Sequence, residues 1–240
     1  MIGIILAAGV SSRLRPLTDT TPKCLLRVGG PPLLERTLRS LEQSGVRECI
    51  IVTGYYHESV ERFANGLHLP LKTHFVVNPR FASTNNNYSL WIAGPAAAGH
   101  DILLLDSDVL FDRQLIPLLL ESPHDNALIM RTGGNLGQEE IKLELDGSGR
   151  ILRIGKEIDP GKAVGDSVGI EKFAAPAAER LFDILGRRKD RNEFYEASFQ
   201  ELIDGGCSVH AVDNGAYCCM EIDTPHDLAV AQRLATTLTS

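Results

Sequence analysis

The sequence predicts an α/β fold, a doubly wound and mainly parallel (mixed) sheet with a small antiparallel extension. Two observations carry this prediction. Through the first half, strand-sized apolar runs alternate with segments of helical spacing, the order that builds a parallel sheet with helices on both faces. In the second half several strand-like runs follow one another, and Asp146-Gly147-Ser148-Gly149 between two of them has the composition of a hairpin turn.

Taken in order, residues 3–6 read as a first buried strand. Residues 33–44 are helical by the spacing of Leu34, Leu38 and Leu41, with Gly45 as C-terminal cap. Residues 48–53 form a second strand, 57–64 a short helix, 72–77 a third strand and 101–105 a fourth. Residues 127–131, 141–145, 150–154 and 166–173 are strand-like, 176–185 is a helix, and 192–203 is a helix ending at Gly205-Gly206. Residues 209–212 and 218–222 are late strands. Thr224 as N-cap and Pro225 at the first helical position then open a terminal helix carrying Leu228, Val230 and Leu234. With no internal repeat, low-complexity tract or linker, a single domain over residues 1–240 is expected.

Composition narrows the function. Hydrophobic residues make up 43% and charged residues 23% of the 240, which excludes a disordered chain. The longest apolar runs are strand-sized, far below the ~20 residues of a spanning helix, and the N-terminus lacks a basic leader, so no membrane insertion is expected. Five cysteines, two of them adjacent and none in a CxxC pair, argue against a disulfide framework or zinc site and for a cytoplasmic protein. The net charge is −7, yet residues 13–27 hold Arg13, Arg15, Lys23 and Arg27 against Asp19 alone. One basic loop on an acidic chain is unsuited to nucleic acid, which needs an extended basic face, and suited to one small, highly charged anion.

That loop follows the first strand: Leu6-Ala7-Ala8-Gly9-Val10-Ser11-Ser12-Arg13-Leu14-Arg15-Pro16-Leu17-Thr18, then Thr21-Pro22-Lys23. Small residues beyond a strand end let backbone N–H groups approach an oxyanion. Arg13 can grip phosphate oxygens as a planar fork and Lys23 as a point charge. Neither a Walker A loop nor a GxGxxG fingerprint is present. The stretch resembles the signature LAAGxGxRLxPLTxxxPK of the sugar-phosphate nucleotidyltransferase superfamily, with Ser11 in place of a usual Gly. The resemblance implies a Rossmann-like, GT-A-like nucleotidyltransferase fold whose loop wraps an NTP triphosphate. Leu6, Ala8 and Gly9 would contact the nucleotide, Arg13 the leaving pyrophosphate, and Lys23 the reacting phosphates. It also suggests a homodimer.

Asp106 and Asp108 end an apolar strand two residues apart, so in extended chain they face the same way. Glu221 and Asp223 repeat the spacing at a late strand end. Mg²⁺ takes oxygen ligands, one or two carboxylates plus substrate phosphates. The resemblance places the metal on Asp108 and Asp223 and leaves Asp106 to orient the nucleotide. An isolated DxD is otherwise a common turn or cap.

Three further segments resemble bacterial phosphocholine cytidylyltransferases, a group that includes aminoalkylphosphonate enzymes. Asn85-Asn86-Asn87-Tyr88-Ser89-Leu90 matches their NNxYSL stretch beside the base, implicating Asn86 and Ser89; Asn and Ser also suit an ordinary N-cap. Phe194-Tyr195-Glu196 matches an aromatic–aromatic–acid triplet, making Tyr195 and Glu196 candidates for a cationic acceptor head, since aromatic faces and an acid suit an ammonium. Met220-Glu221-Ile222-Asp223-Thr224 with Asp227 matches their ending, and Lys156 is a candidate for the acceptor phosphate.

The expected function is therefore a Mg²⁺-dependent cytidylyltransferase that joins CMP from CTP to a small phosphate or phosphonate acceptor and releases pyrophosphate. A sugar-1-phosphate or inositol-phosphate nucleotidyltransferase is the alternative acceptor class. A metal-dependent glycosyltransferase would explain the DxD but gives the Gly9–Lys23 loop no role. A non-catalytic nucleotide-binding subunit is disfavoured because Arg13, Lys23, Asp108 and Asp223 are all present.

Overall fold

The computed structural model describes residues 1–133, 136–236 and 238. The expected span of 1–240 also takes in 134, 135, 237, 239 and 240, which lie outside the described residues. The chain runs β1 (Ile2–Ala7), α1 (Leu33–Gln43), β2 (Glu48–Thr53), α2 (His57–Gly66), β3 (Lys72–Val77), α3 (Asn86–Ala97), β4 (Ile102–Asp106), β5 (Val109–Phe111) and α4 (Leu115–Glu121). It continues through β6 (Ala127–Arg131), β7 (Lys142–Leu145), β8 (Ile151–Gly155), β9 (Gly165–Phe173), α5 (Ala175–Arg187), α6 (Glu196–Asp204), β10 (His210–Asp213), β11 (Cys219–Glu221) and α7 (Pro225–Leu234).

The main sheet has the order β10-β6-β9-β4-β1-β2-β3, with the β7–β8 hairpin paired to β9. Strands β1 to β4 pair in parallel, as do β6 and β10, while β9 is antiparallel to β4, β6 and β7. This is the mixed, doubly wound sheet expected from the alternating pattern. Successive residues of β1 point to opposite faces, so Ile4 and Leu6 join one core with α3, α5 and α6. Ile5 and Ala7 join a second core with α1, α2 and α4. All four side chains are buried, the pattern of a strand covered on both faces.

The chain winds outward from β1 to β3 and then returns to place β4 on the other side of β1. Such a reversal opens a crevice beyond the carboxyl ends of the two central strands. Leu6 stands opposite Asp106 in the β1–β4 register, so the glycine loop and the paired aspartates leave the sheet side by side. A third, smaller core of Leu14, Val28, Leu33, Leu110, Ile222 and Leu228 fastens the loop to β11 and α7.

Three features differ from the sequence expectation. Helices α3 and α4 were not anticipated. Segment 86–97 buries the polar Asn87 and Ser89, exposes Pro95 and Ala96 and contains Gly94, so it shows no amphipathic stripe; it lies between the sheet and α5. Strand β5 was not anticipated either; it pairs with β11 in a separate two-stranded antiparallel sheet, in keeping with the expected antiparallel extension. Helix α6 starts at Glu196, four residues later than expected. The predicted 146–149 turn is present, with Asp146 Oδ1 accepting from the Ser148 and Arg150 N–H groups. Among the described residues no helix is long and apolar enough to cross a membrane.

Candidate active site

A cavity of about 580 Å³ lies at the crevice between β1 and β4. Leu6 at the end of β1 and Ala8 and Gly9 just after it form one wall, and the Ala8 carbonyl accepts a hydrogen bond from the Tyr55 N–H (3.2 Å). That approach needs Gly54, because a β-carbon there would sit 2.8 Å from the Ala8 carbonyl and 2.7 Å from Phe81. Ser11 has φ 53° and ψ 50°, the left-handed region. This is the physical reason a glycine suits the position. The Ser11 carbonyl accepts bonds from Leu14 N and Thr18 Oγ1, which closes the loop on itself.

The charged residues of the loop meet the carboxylates at the strand ends. Lys23 is 7% exposed, and its Nζ lies 2.8 Å from Asp108 Oδ2 and 2.7 Å from Asp223 Oδ1. Burial alone would lower the Lys23 pKa, but the flanking Asp108 and Asp223 charges hold it above the ordinary lysine value. Arg13, largely exposed, bridges Asp223 Oδ2 at 2.8 Å. Asp223 is set in place by the helix that follows it. Asp227 Oδ2 accepts from the Asp223 and Thr224 N–H groups, and Thr224 Oγ1 accepts from Asp227 N, a reciprocal cap on α7.

Around this cluster the site is strongly acidic. Burial, then repulsion from Asp108, pushes the Asp106 carboxyl well above its usual range. Tyr195 Oη donates to Asp106 Oδ2 at 2.9 Å. Burial, then Asp108 and Asp223, pushes Glu221 up to about 7. Burial likewise raises Glu196 to about 7, against a smaller downward pull from its own backbone N–H and from Lys156.

Of the residues singled out from sequence, Leu6, Ala8, Gly9, Arg13, Lys23, Asn86, Ser89, Asp106, Asp108, Lys156, Glu196 and Asp223 all reach the one cavity. Tyr195 differs. Its side chain is fully buried, the ring packs on Phe199 at 4.9 Å, and its hydroxyl is committed to Asp106, so it presents no open face to a ligand. Phe194 lines the cavity instead, with Lys156 Nζ 4.4 Å from its ring centroid. Asn86 Oδ1 accepts from Tyr195 N, and Ser89 Oγ accepts from Asn78 Nδ2.

Lining residues that the sequence did not mark include Asn78, Arg131, Asp166 and Glu140. Arg131 and Asp166 form a two-pronged pair, with Nη2 2.6 Å and Nε 3.2 Å from the two carboxylate oxygens. Each sits near the end of a strand, Arg131 closing β6 and Asp166 second in β9. A charge at a strand end was the available signal, but their adjacency depends on a long-range antiparallel register.

Comparison with known proteins bears on this cavity. Residues 3–182 match the model of the MobA-like NTP transferase domain. The chain belongs to this NTP transferase family. Its relatives include a CMP-phosphonate synthase and a cytidylyltransferase. CMP-5'-(3-aminopropyl)phosphonate synthase from Streptomyces rubellomurinus is 37% identical over 93% of this chain. The chain spans only 37% of that relative's length. The choline-phosphate cytidylyltransferase of Streptococcus pneumoniae is 27% identical, over 85% of this chain and 83% of its own. Among solved structures, the inositol-1-phosphate CTP transferase from T. maritima superposes with a TM-score of 0.83 over 100% of this chain and 98% of its own. At 22% identity it shows the shared nucleotidyltransferase fold. As an NTP transferase, the chain is an enzyme by family, and the cavity is its candidate active site.

Proposed function

We propose that the chain is a Mg²⁺-dependent cytidylyltransferase. It transfers CMP from CTP to a small phosphate or phosphonate acceptor of the phosphocholine or aminoalkyl type and releases pyrophosphate. The observation that carries this reading is the convergence of Arg13, Lys23, Asp108 and Asp223 at the mouth of the glycine loop. The names of the relatives support cytidylyl transfer and the acceptor class.

The backbone around Gly9 would face the triphosphate, and Asn86 and Ser89 the base. Arg13 would hold the departing pyrophosphate and Lys23 the charge on the reacting phosphates, while Asp106 orients the site. An acceptor oxygen attacks the α-phosphorus in line. One P–O bond forms there as the bond to the β-phosphate bridging oxygen breaks, and the electron pair leaves with pyrophosphate. A phosphate monoester, with its second pKa of roughly 6, is already largely dianionic at neutral pH, so no general base is needed.

The donor set fits magnesium. Asp108 and Asp223 already direct one oxygen each at a single cationic atom, and both are hard carboxylates. Among the described residues no three His, Cys, Asp or Glu side chains converge as a complete metal site, which suits an ion whose remaining ligands are phosphate and water. Asp108 and Asp223 would hold Mg²⁺, which when bound neutralises triphosphate charge.

The test is a pyrophosphate-release screen with four NTPs, Mg²⁺ and phosphocholine, aminoethylphosphonate, inositol 1-phosphate and glucose 1-phosphate. Release with CTP and an amino or choline acceptor is expected. Turnover only with a sugar phosphate, or release of a nucleoside diphosphate, would overturn the reading.

A further inference from the structure

Resting on the cytidylyl-transfer reading, we propose that the acceptor carries a primary ammonium group and that Glu196 reads it. The substrate class is then an aminoalkylphosphonate or aminoalkyl phosphate with an unmethylated amine, not a choline-type quaternary ammonium.

Three observations lead there. First, Glu196 lines the cavity and is 7% exposed, and its Oε2 is shielded from solvent with no hydrogen-bond partner. A shielded carboxylate oxygen without a donor is costly. Glu140, on the same cavity, has a second such oxygen, Oε2. A primary ammonium brings three N–H donors to such oxygens; a quaternary ammonium brings none.

Second, aromatic faces are scarce where the head group would sit. Quaternary ammonium ions are held by several aromatic faces. Among the described residues, the aromatic side chains lining the cavity are Phe81 and Phe194. Phe81 packs against Gly54, beside the phosphate loop. The face of Phe194 already carries the Lys156 ammonium at 4.4 Å. Tyr195 is buried under the site. Third, Lys156 shares the cavity with Glu196, so the acceptor's two charges, anionic phosphorus group and cationic amine, each meet an opposite charge on the protein.

Acceptors that differ only in N-methylation test this directly. Phosphoethanolamine would be compared with phosphocholine, and 2-aminoethylphosphonate with its N-trimethyl analogue, by CTP-dependent pyrophosphate release. The primary amines should be favoured by at least about tenfold in kcat/KM, the size of one charged hydrogen bond. Glu196→Gln should lose at least that factor with the primary amines, mainly through acceptor KM, and little with the quaternary ones, so the preference collapses. Glu140→Gln should lower the preference in the same direction. The wild-type comparison needs no variant, and circular dichroism checks that each variant folds. Equal or better turnover of the trimethylated acceptors overturns this inference and leaves cytidylyl transfer standing. An equal loss for both acceptor types in Glu196→Gln removes Glu196 as the reader. No pyrophosphate from any of the four acceptors overturns the proposed function and this inference together.

Discussion

Lys23 carries the sharpest prediction at the scale of single residues. Its ammonium is the shared counter-ion of two carboxylates from distant parts of the chain, and it is the buried positive charge nearest them. Removing one preorganised charge from a phosphoryl-type transition state costs about 10²–10³ in rate. Lys23→Ala and Asp108→Ala should each lose at least that in steady-state pyrophosphate release; near-wild-type turnover in either would sink the assignment. Ser11 offers a different kind of test. Its left-handed backbone costs a non-glycine residue about 1–2 kcal/mol, while glycine adds about 0.4–1 kcal/mol of unfolded-state freedom. Its hydrogen bonds run through the carbonyl, so the hydroxyl is dispensable to the loop. Ser11→Gly should therefore melt at or slightly above the wild-type temperature, whereas the β-branched Ser11→Val should melt lower.

At the scale of elements, helix α7 acts on the site through its cap. Asp227 Oδ2 receives the backbone N–H of Asp223 itself as well as that of Thr224. Asp227→Ala removes the reciprocal cap, which should lower stability by about 1 kcal/mol in denaturant unfolding. It should also raise the Mg²⁺ concentration for half-maximal turnover, because Asp223 loses its tether. An unchanged metal requirement would mean the cap serves the helix alone. The start of the helix was legible in Thr224 and Pro225, as was the strand that carries Asp106; the return bond from Asp227 was not read. Helix α3 was not legible, since its buried positions include the polar Asn87 and Ser89 and its exposed ones are Pro95 and Ala96, so no polar face marks its period.

Across the whole molecule, the crevice gathers more acid than base. Burial first of all raises Glu196 and Glu221 to about 7 and also raises Asp106, as it does the fully buried Glu171 of β9, outside the cavity lining. A carboxyl whose folded pKa lies above its unfolded value of about 4.3 binds its proton more tightly when folded. That stabilisation is complete below the unfolded value and is lost as pH rises through about 7. Without ligands, the melting temperature should fall between pH 5 and pH 8. CTP with Mg²⁺ should restore it most at pH 8, as read by calorimetry. A melting temperature that rises over this range would contradict the acidic crevice.

Local sequence was enough to determine most of the alternating strands and helices, the phosphate-type loop and the carboxylate pairs at strand ends. Periodicity, turn chemistry and charge spacing act over a few residues and leave their mark in order along the chain. Tertiary structure decided what those pieces do to one another. It placed Lys23 between Asp108 and Asp223, 85 and 200 residues away. It buried Tyr195 beneath the cavity while Phe194 and Glu196 line it. It also paired Arg131 with Asp166 across an antiparallel register. Burial and long-range pairing depend on how the sheet closes over its helices, and no window of neighbouring residues contains that information.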